Sequence, residues 1–169
     1  MMYCMSGTKK IAVIVVLENS QNWLMLKRKY PPNQDLYTPV GGKLEPGESP
    51  RAAALREARE EAGIKLQNIS YCGVLVDSAP TDYNWVCFVY RAEVEYFKPP
   101  FCNEGVLSWI PISTLHTIPK PATDPYLYSL VLARTPFYLS AVYSKDNQLI
   151  SLTEEISGTC LFGDNLHGH

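Results

Sequence analysis

Residues 41–64 read GGKLEPGESPRAAALREAREEAGI. The stretch holds five glutamates, Glu45, Glu48, Glu57, Glu60 and Glu61, beside a glycine pair and one strongly helical run. Ser49 is a good N-cap, Pro50 fits the first helical position where its missing N–H costs nothing, and Gly63 suits the C-terminal cap. Between them stand alanines, Leu55, arginines and glutamates, all strong helix formers. At about 100° per residue, Glu60 falls about 60° to one side of Glu57 and Glu61 about 40° to the other, so three carboxylates share one face. Leu55, Ala58 and Ala62 fall opposite, which makes theirs the expected core face and turns the acids outward into a site.

Helix stability alone argues against this arrangement. Like charges one turn apart repel, and acids near a helix C-terminus meet the wrong end of the macrodipole. A solvated acidic face with Arg56 and Arg59 as partners is the plainer explanation. The spacing decides against it: Gly42, then Glu48 after five residues, then seven more to the run Arg56-Glu57-Ala58-Arg59-Glu60-Glu61-Ala62-Gly63-Ile64. This resembles the Nudix box, GX5EX7REUXEEXGU with U apolar. Every fixed position is filled, the weakest being Ala58 in an apolar slot.

The residue types suit the chemistry that the resemblance implies. A diphosphate ester carries several negative charges, so its cleavage calls for divalent cations that neutralise the phosphates and lower the pKa of an attacking water. Hard carboxylate oxygens suit Mg²⁺ or Mn²⁺. By the resemblance, Glu57, Glu60 and Glu61 bind metal, Gly41 lends a carbonyl ligand, and Glu57 is one candidate general base. Glu48 and Arg56 support the ligands from behind, with Arg56 orienting a carboxylate through a bidentate pair. Lys43 is placed to approach a phosphate, or else is an exposed strand lysine.

Outward from the box, 169 residues suit one domain with a substantial core. The expected division is a flexible N-terminus at 1–8, a single domain at 9–156 and a mobile, Gly-rich tail at 157–169, whose His167-Gly168-His169 end is more plausibly disordered than chelating. A formal charge of −2 advertises neither a nucleic-acid polymer nor a membrane as partner, leaving a small nucleotide held through metal and a few local cations. Cys4, Cys72, Cys87, Cys102 and Cys160 lack CxxC spacing and read as reduced structural thiols of a cytoplasmic protein. The apolar run 11–17 is too short to span a bilayer, and residues 1–10 lack a signal-peptide pattern. The chain is expected as monomer or homodimer.

Residues 9–18 and 22–29 read as a hairpin. Pro39 makes 37–44 irregular. Strands are expected within 65–78 and at 85–95, the latter buried on both faces for part of its length. A tryptophan strand within 104–111, a short helix near 112–116, a second helix at 125–134 with Asp124 as N-cap, and strands at 137–143 and 148–154 complete the chain. The family resemblance implies an α/β/α sandwich, a mixed curved sheet between the box helix and the second helix.

The box implies hydrolysis of a nucleoside diphosphate linked to a further group X. Glu104 matches an acidic residue that, in the family, reaches the metal site from a loop before a tryptophan strand, and is the second candidate base. In the 8-oxo-dGTP diphosphatase branch an aspartate before the second helix reads the purine edge, a position matched by Asp124. Tyr37 sits where an aromatic is common and is expected to stack on the base. Thr38 and Pro121 depart from that branch, replacing a base-reading asparagine and a stacking tryptophan. The expected activity is release of pyrophosphate from 8-oxo-dGTP-like purine nucleotides. The alternatives are an ADP-ribose or other NDP-sugar pyrophosphatase, and a non-catalytic nucleotide sensor, which the intact set of box glutamates argues against.

Overall fold

Alternation along one strand sets the architecture. In the computed structural model, which describes residues 8–164, β1 (Lys10–Asn19) buries Val13, Val15 and Leu17 toward one face and Ala12 and Val16 toward the other. Successive side chains of a strand point to opposite faces, so a near-continuous apolar run means cover on both. Helix α1 (Pro50–Ala62) covers the first face through Ala53, Ala54 and Ala62. Helix α2 (Asp124–Ala133) covers the second through Leu127, Tyr128 and Val131. The result is the expected α/β/α sandwich.

The hairpin at residues 19–22 forms, but β1 and β2 (Asn22–Arg28) pair only at Glu18↔Trp23 and Asn19↔Asn22 before they part. The fork is filled by one segment that changes partner: β3 (Tyr37–Thr38) pairs with β2, and β4 (Val40–Lys43) pairs with β1. Between them stands Pro39, whose nitrogen has no hydrogen to give a ladder, so the switch falls where pairing is interrupted in any case.

Strand β5 (Ser70–Ser78) and β6 (Trp85–Glu93) pair antiparallel, and β6 runs parallel to the whole length of β1. As expected, β6 is buried on both faces at Val89 and Tyr90. Strand β7 (Gly105–Pro111) pairs with β2 and leads to a short 3₁₀ turn at Ile112–Thr114. Strands β8 (Phe137–Tyr143), β9 (Leu149–Glu154) and β10 (Thr159–Phe162) extend the sheet beyond β5.

Three expectations change. Thr159–Phe162 pair with β9, so this part of the 157–169 segment is a strand and not a mobile tail; His167 and its neighbours lie outside the described residues. Asp124 is not the N-cap of α2: Thr123 holds that place without a side-chain cap bond, and Asp124 is the first helical residue. The face of α1 turned to the sheet also carries acids, since Glu57 and Glu61 are buried with Ala53, Ala54 and Ala58, while Leu55 is only half-buried. Two of the three clustered carboxylates therefore point inward, and Glu60 alone is exposed.

Candidate active site

Ser49 caps α1 by accepting from the Ala52 N–H, and Gly63 ends it in the left-handed region at φ 71°. The helix so framed lays Glu57 and Glu61 against β4. At Gly42 a Cβ atom would stand 2.2 Å from Glu57 Oε1, so only glycine leaves room for that carboxylate. One residue earlier, the Gly41 N–H donates to Glu61 Oε2 at 2.9 Å. The glycine pair thus supplies one site with a hydrogen bond and with space.

Arg56 gathers the acids. Its Nε and Nη2 form a bidentate pair with the two oxygens of Glu48, each at 2.9 Å. Its Nη1 reaches Glu57 Oε1 at 2.7 Å and Glu60 Oε2 at 3.0 Å, and Nη2 also donates to the Lys43 carbonyl at 2.9 Å. The Arg56 hydrogen bonds hold Glu48 down to about 2, and the same partners raise the guanidinium above its ordinary value. Arg59 is exposed and makes no ion pair among the described residues. The solvated acidic face with two arginine partners, set aside on the spacing, is not what forms: Arg56 alone of the two pairs with these acids.

Burial pushes Glu57 up despite Arg56, and pushes Glu61 up to about 7 despite the Gly41 hydrogen bond, with the neighbouring Glu57 charge adding to the effect. Two inward-facing carboxylates that repel one another form a site in which a divalent cation would relieve both desolvation and repulsion. Their oxygens are the hard donors that Mg²⁺ or Mn²⁺ prefers. The donor set therefore fits such an ion.

These groups line one cleft of about 790 Å³. Glu104 lines the same cleft, exposed, 3.7 Å from Arg28, and its charge acts on Glu61. The β-register carries the cleft to its other end: Asp77 lies opposite Trp85, which lies beside Lys10 on β1, and Leu75 lies opposite Cys87, beside Ala12. Tyr83, Thr38, Pro121, Thr123 and Asp124 complete that end. Asp124 is buried, receives the Tyr128 hydroxyl at 2.6 Å, and is pushed up to about 7 by burial.

The structure brings Gly41, Lys43, Thr38, Arg56, Glu57, Glu60, Glu61, Glu104 and Asp124 to this cleft, with Glu48 behind Arg56. Lys43 places its Nζ 5.9 Å from the Trp85 ring centre. Tyr37 is the exception. Its ring packs into the core beneath α2, its N–H donates to the Pro119 carbonyl, and it is not among the residues lining the cleft. Tyr83 and Trp85 are the aromatics there instead; the sequence reading named neither as a site residue, nor Asp77 or Arg28. Strand alternation carries a signal for two of them, because Asp77 stands two residues from Leu75 and Trp85 two from Cys87, on the same faces of their strands.

The NUDIX domain family model matches residues 8–131. The chain belongs to the Nudix family. Nudix members are pyrophosphohydrolases acting on phosphorus-containing anhydrides, and this one is such a hydrolase. It is 28% identical over 123 residues to YvcI of Bacillus subtilis (strain 168), named an uncharacterized Nudix hydrolase, covering 69% of this chain and 75% of that protein. Over 63 residues it is 48% identical to another Bacillus subtilis protein, provisionally named an 8-oxo-dGTP diphosphatase, covering 37% of this chain and 40% of that one. The crystal structure of the MutT protein of Bacillus halodurans superimposes with a TM-score of 0.75 at 23% identity, covering 85% and 95% of the two chains, which shows the shared Nudix fold. Among the described residues no helix is long and apolar enough to cross a membrane.

Proposed function

We propose that this Nudix hydrolase is a nucleoside triphosphate diphosphatase that cleaves 8-oxo-dGTP-like purine nucleotides to monophosphate and pyrophosphate. One observation carries the reading: a single cleft joins the buried acids of α1 to an end walled by Trp85, Tyr83 and Asp124. Polyphosphate and base require such unlike walls. The aromatic rings offer flat apolar surface to a purine, and Asp124 offers a hydrogen-bond acceptor for its edge.

Glu57, Glu60 and Glu61 are the residues that would hold Mg²⁺ or Mn²⁺. Such an ion, when bound, neutralises phosphate charge and makes water a better nucleophile. Arg56 orients the ligands and lends them its charge. Glu104 is the better placed of the two candidate bases, because Glu57 is buried and held by Arg56 at 2.7 Å, whereas Glu104 is exposed and its partner Arg28 stands 3.7 Å away.

Thr38 and Pro121, both on the cleft wall, favour a second reading. They leave room where larger base-contacting side chains were expected, and that room suits the second ribose of ADP-ribose or the sugar of another NDP-sugar. The test is a Mg²⁺-supplemented panel of 8-oxo-dGTP, ordinary NTPs, ADP-ribose and NDP-sugars with phosphate products identified. Pyrophosphate release from a purine triphosphate supports the first reading. Sugar phosphate as the dominant product transfers support to the second.

A further inference from the structure

Asp77 has no part in the chemistry described so far. It lies at the end of β5 on the face that α2 covers, two residues beyond Leu75 and opposite Trp85. It is 3% exposed and lines the cleft, yet its Oδ1 is the one buried side-chain oxygen or nitrogen among the described residues without a hydrogen-bond partner. Folded proteins rarely leave a buried acceptor unmet, and an exception calls for a cause. The nearby cation does not supply it: Lys9 directs its Nζ to the Asp77 main-chain carbonyl at 2.8 Å and to the Ser78 hydroxyl at 2.7 Å.

The same end of the cleft holds a second buried carboxyl. Asp124 reaches it from the first turn of α2, and the Tyr128 hydroxyl occupies its Oδ2. Burial pushes each up to about 7, with the charge of Asp77 contributing to the rise at Asp124, while Lys9 and the Tyr143 hydroxyl pull Asp77 the other way. Beside them, Tyr83 and Trp85 present rings to the cleft. A ligand that donates hydrogen bonds to both carboxyls would satisfy the orphan oxygen and ease the repulsion together.

We infer that Asp77 is a specificity-determining residue which, with Asp124, accepts hydrogen bonds from a nucleobase presenting adjacent N–H donors, a ring N–H beside an exocyclic amino group. Guanine and its oxidised forms have this edge. Adenine sets a ring acceptor beside its amino group, and that acceptor would face a carboxylate lone pair. A site built around buried acceptors discriminates strongly against ligands that leave them unmet. The inference rests on the nucleotide reading of the cleft and adds to it the residue that reads the base edge together with Asp124.

The experiment uses matched guanine and adenine nucleotides, both as substrates and as ligands. For the wild-type chain, Asp77→Asn and Asp77→Ala, kcat/KM is measured on dGTP and dATP with Mg²⁺, and GMP and AMP binding is measured by calorimetry without metal. Wild type is expected to favour guanine in both assays. Asp77→Asn keeps the shape but sets an amide donor toward the ligand's donors, and it should lower the guanine-to-adenine ratio by about tenfold or more. Asp77→Ala, which removes the acceptor without adding a donor, should lower the ratio as well, and melting curves verify that both variants fold. If neither triphosphate is hydrolysed but GMP binds selectively and the variants lose that selectivity, the diphosphatase reading fails and the role of Asp77 stands. Equal losses for both bases, an unchanged ratio in the variants, or binding without base preference overturns it.

Discussion

Glu61 meets the backbone through the Gly41 N–H and sits beside Glu57 with its charge largely uncompensated. Replacing it with glutamine keeps the shape and removes the charge. Glu61→Gln is expected to lower kcat by about a hundredfold or more, since activation of water by the cation depends on the ligand set. It should also blunt stabilisation by Mg²⁺: a ligand that binds only the folded state raises the melting temperature, and does so more the tighter it binds. Wild type should therefore gain more than the variant when Mg²⁺ is titrated in differential scanning fluorimetry, and equal gains would remove Glu61 from the ligand set. Glu104 poses a separate question. If it moves the proton, Glu104→Gln lowers kcat with little change in KM, and a steady-state comparison with Glu57→Gln distinguishes the two bases.

At the scale of elements, the contact between α1 and β4 depends on two glycines with different neighbours. A methyl group at Gly41 would lie 2.1 Å from the Val13 carbonyl oxygen, which is backbone and cannot swing aside. Gly41→Ala must therefore push β4 from β1, and is expected to cost about 1–3 kcal/mol in urea unfolding. Gly42→Ala meets a side chain instead, and Glu57 would have to leave its place. It should cost less stability than Gly41→Ala and more activity, an order that paired unfolding and turnover measurements can reverse.

The box elements were legible in the sequence because they are local: the cap, the proline, the glycine stop and the glutamate spacing lie within 41–64. What was not legible depends on long-range register. The inward turn of Glu57 and Glu61 follows from where β4 meets α1. The seclusion of Tyr37 follows from the partner change at Pro39. Asp77 and Trp85 stand close in the chain, but only the register of β5 on β6 sets them opposite one another. Thr159–Phe162 were missed for a related reason, since four residues in a Gly-rich segment carry little pattern until β9 offers them an edge.

For the molecule as a whole, the buried acids set a direction for pH dependence. Asp77 and Asp124 both titrate higher in the folded chain, near 7, than in an unfolded one, near 3.9. A carboxyl raised in this way contributes stability that is complete below the unfolded pKa and is lost as pH climbs through the folded one. Urea midpoints without metal should therefore decline between about pH 4 and 8, and Asp77→Asn should flatten that decline. A midpoint that rises over this window, or an equal slope in the variant, would contradict the assignment. Glu48, drawn down to about 2 by Arg56, acts in the opposite sense and only at the acid extreme.

The alternation of β1 has one more effect. Its odd-numbered valines belong to the layer that carries the box, and Ala12 and Val16 belong to the layer beneath α2, so neighbouring positions on one strand serve different cores. Damage to either layer stays on its own side of a partition one backbone thick. Lineages descended from such a chain can remodel the layer beneath α2 while the layer that carries the box keeps its form.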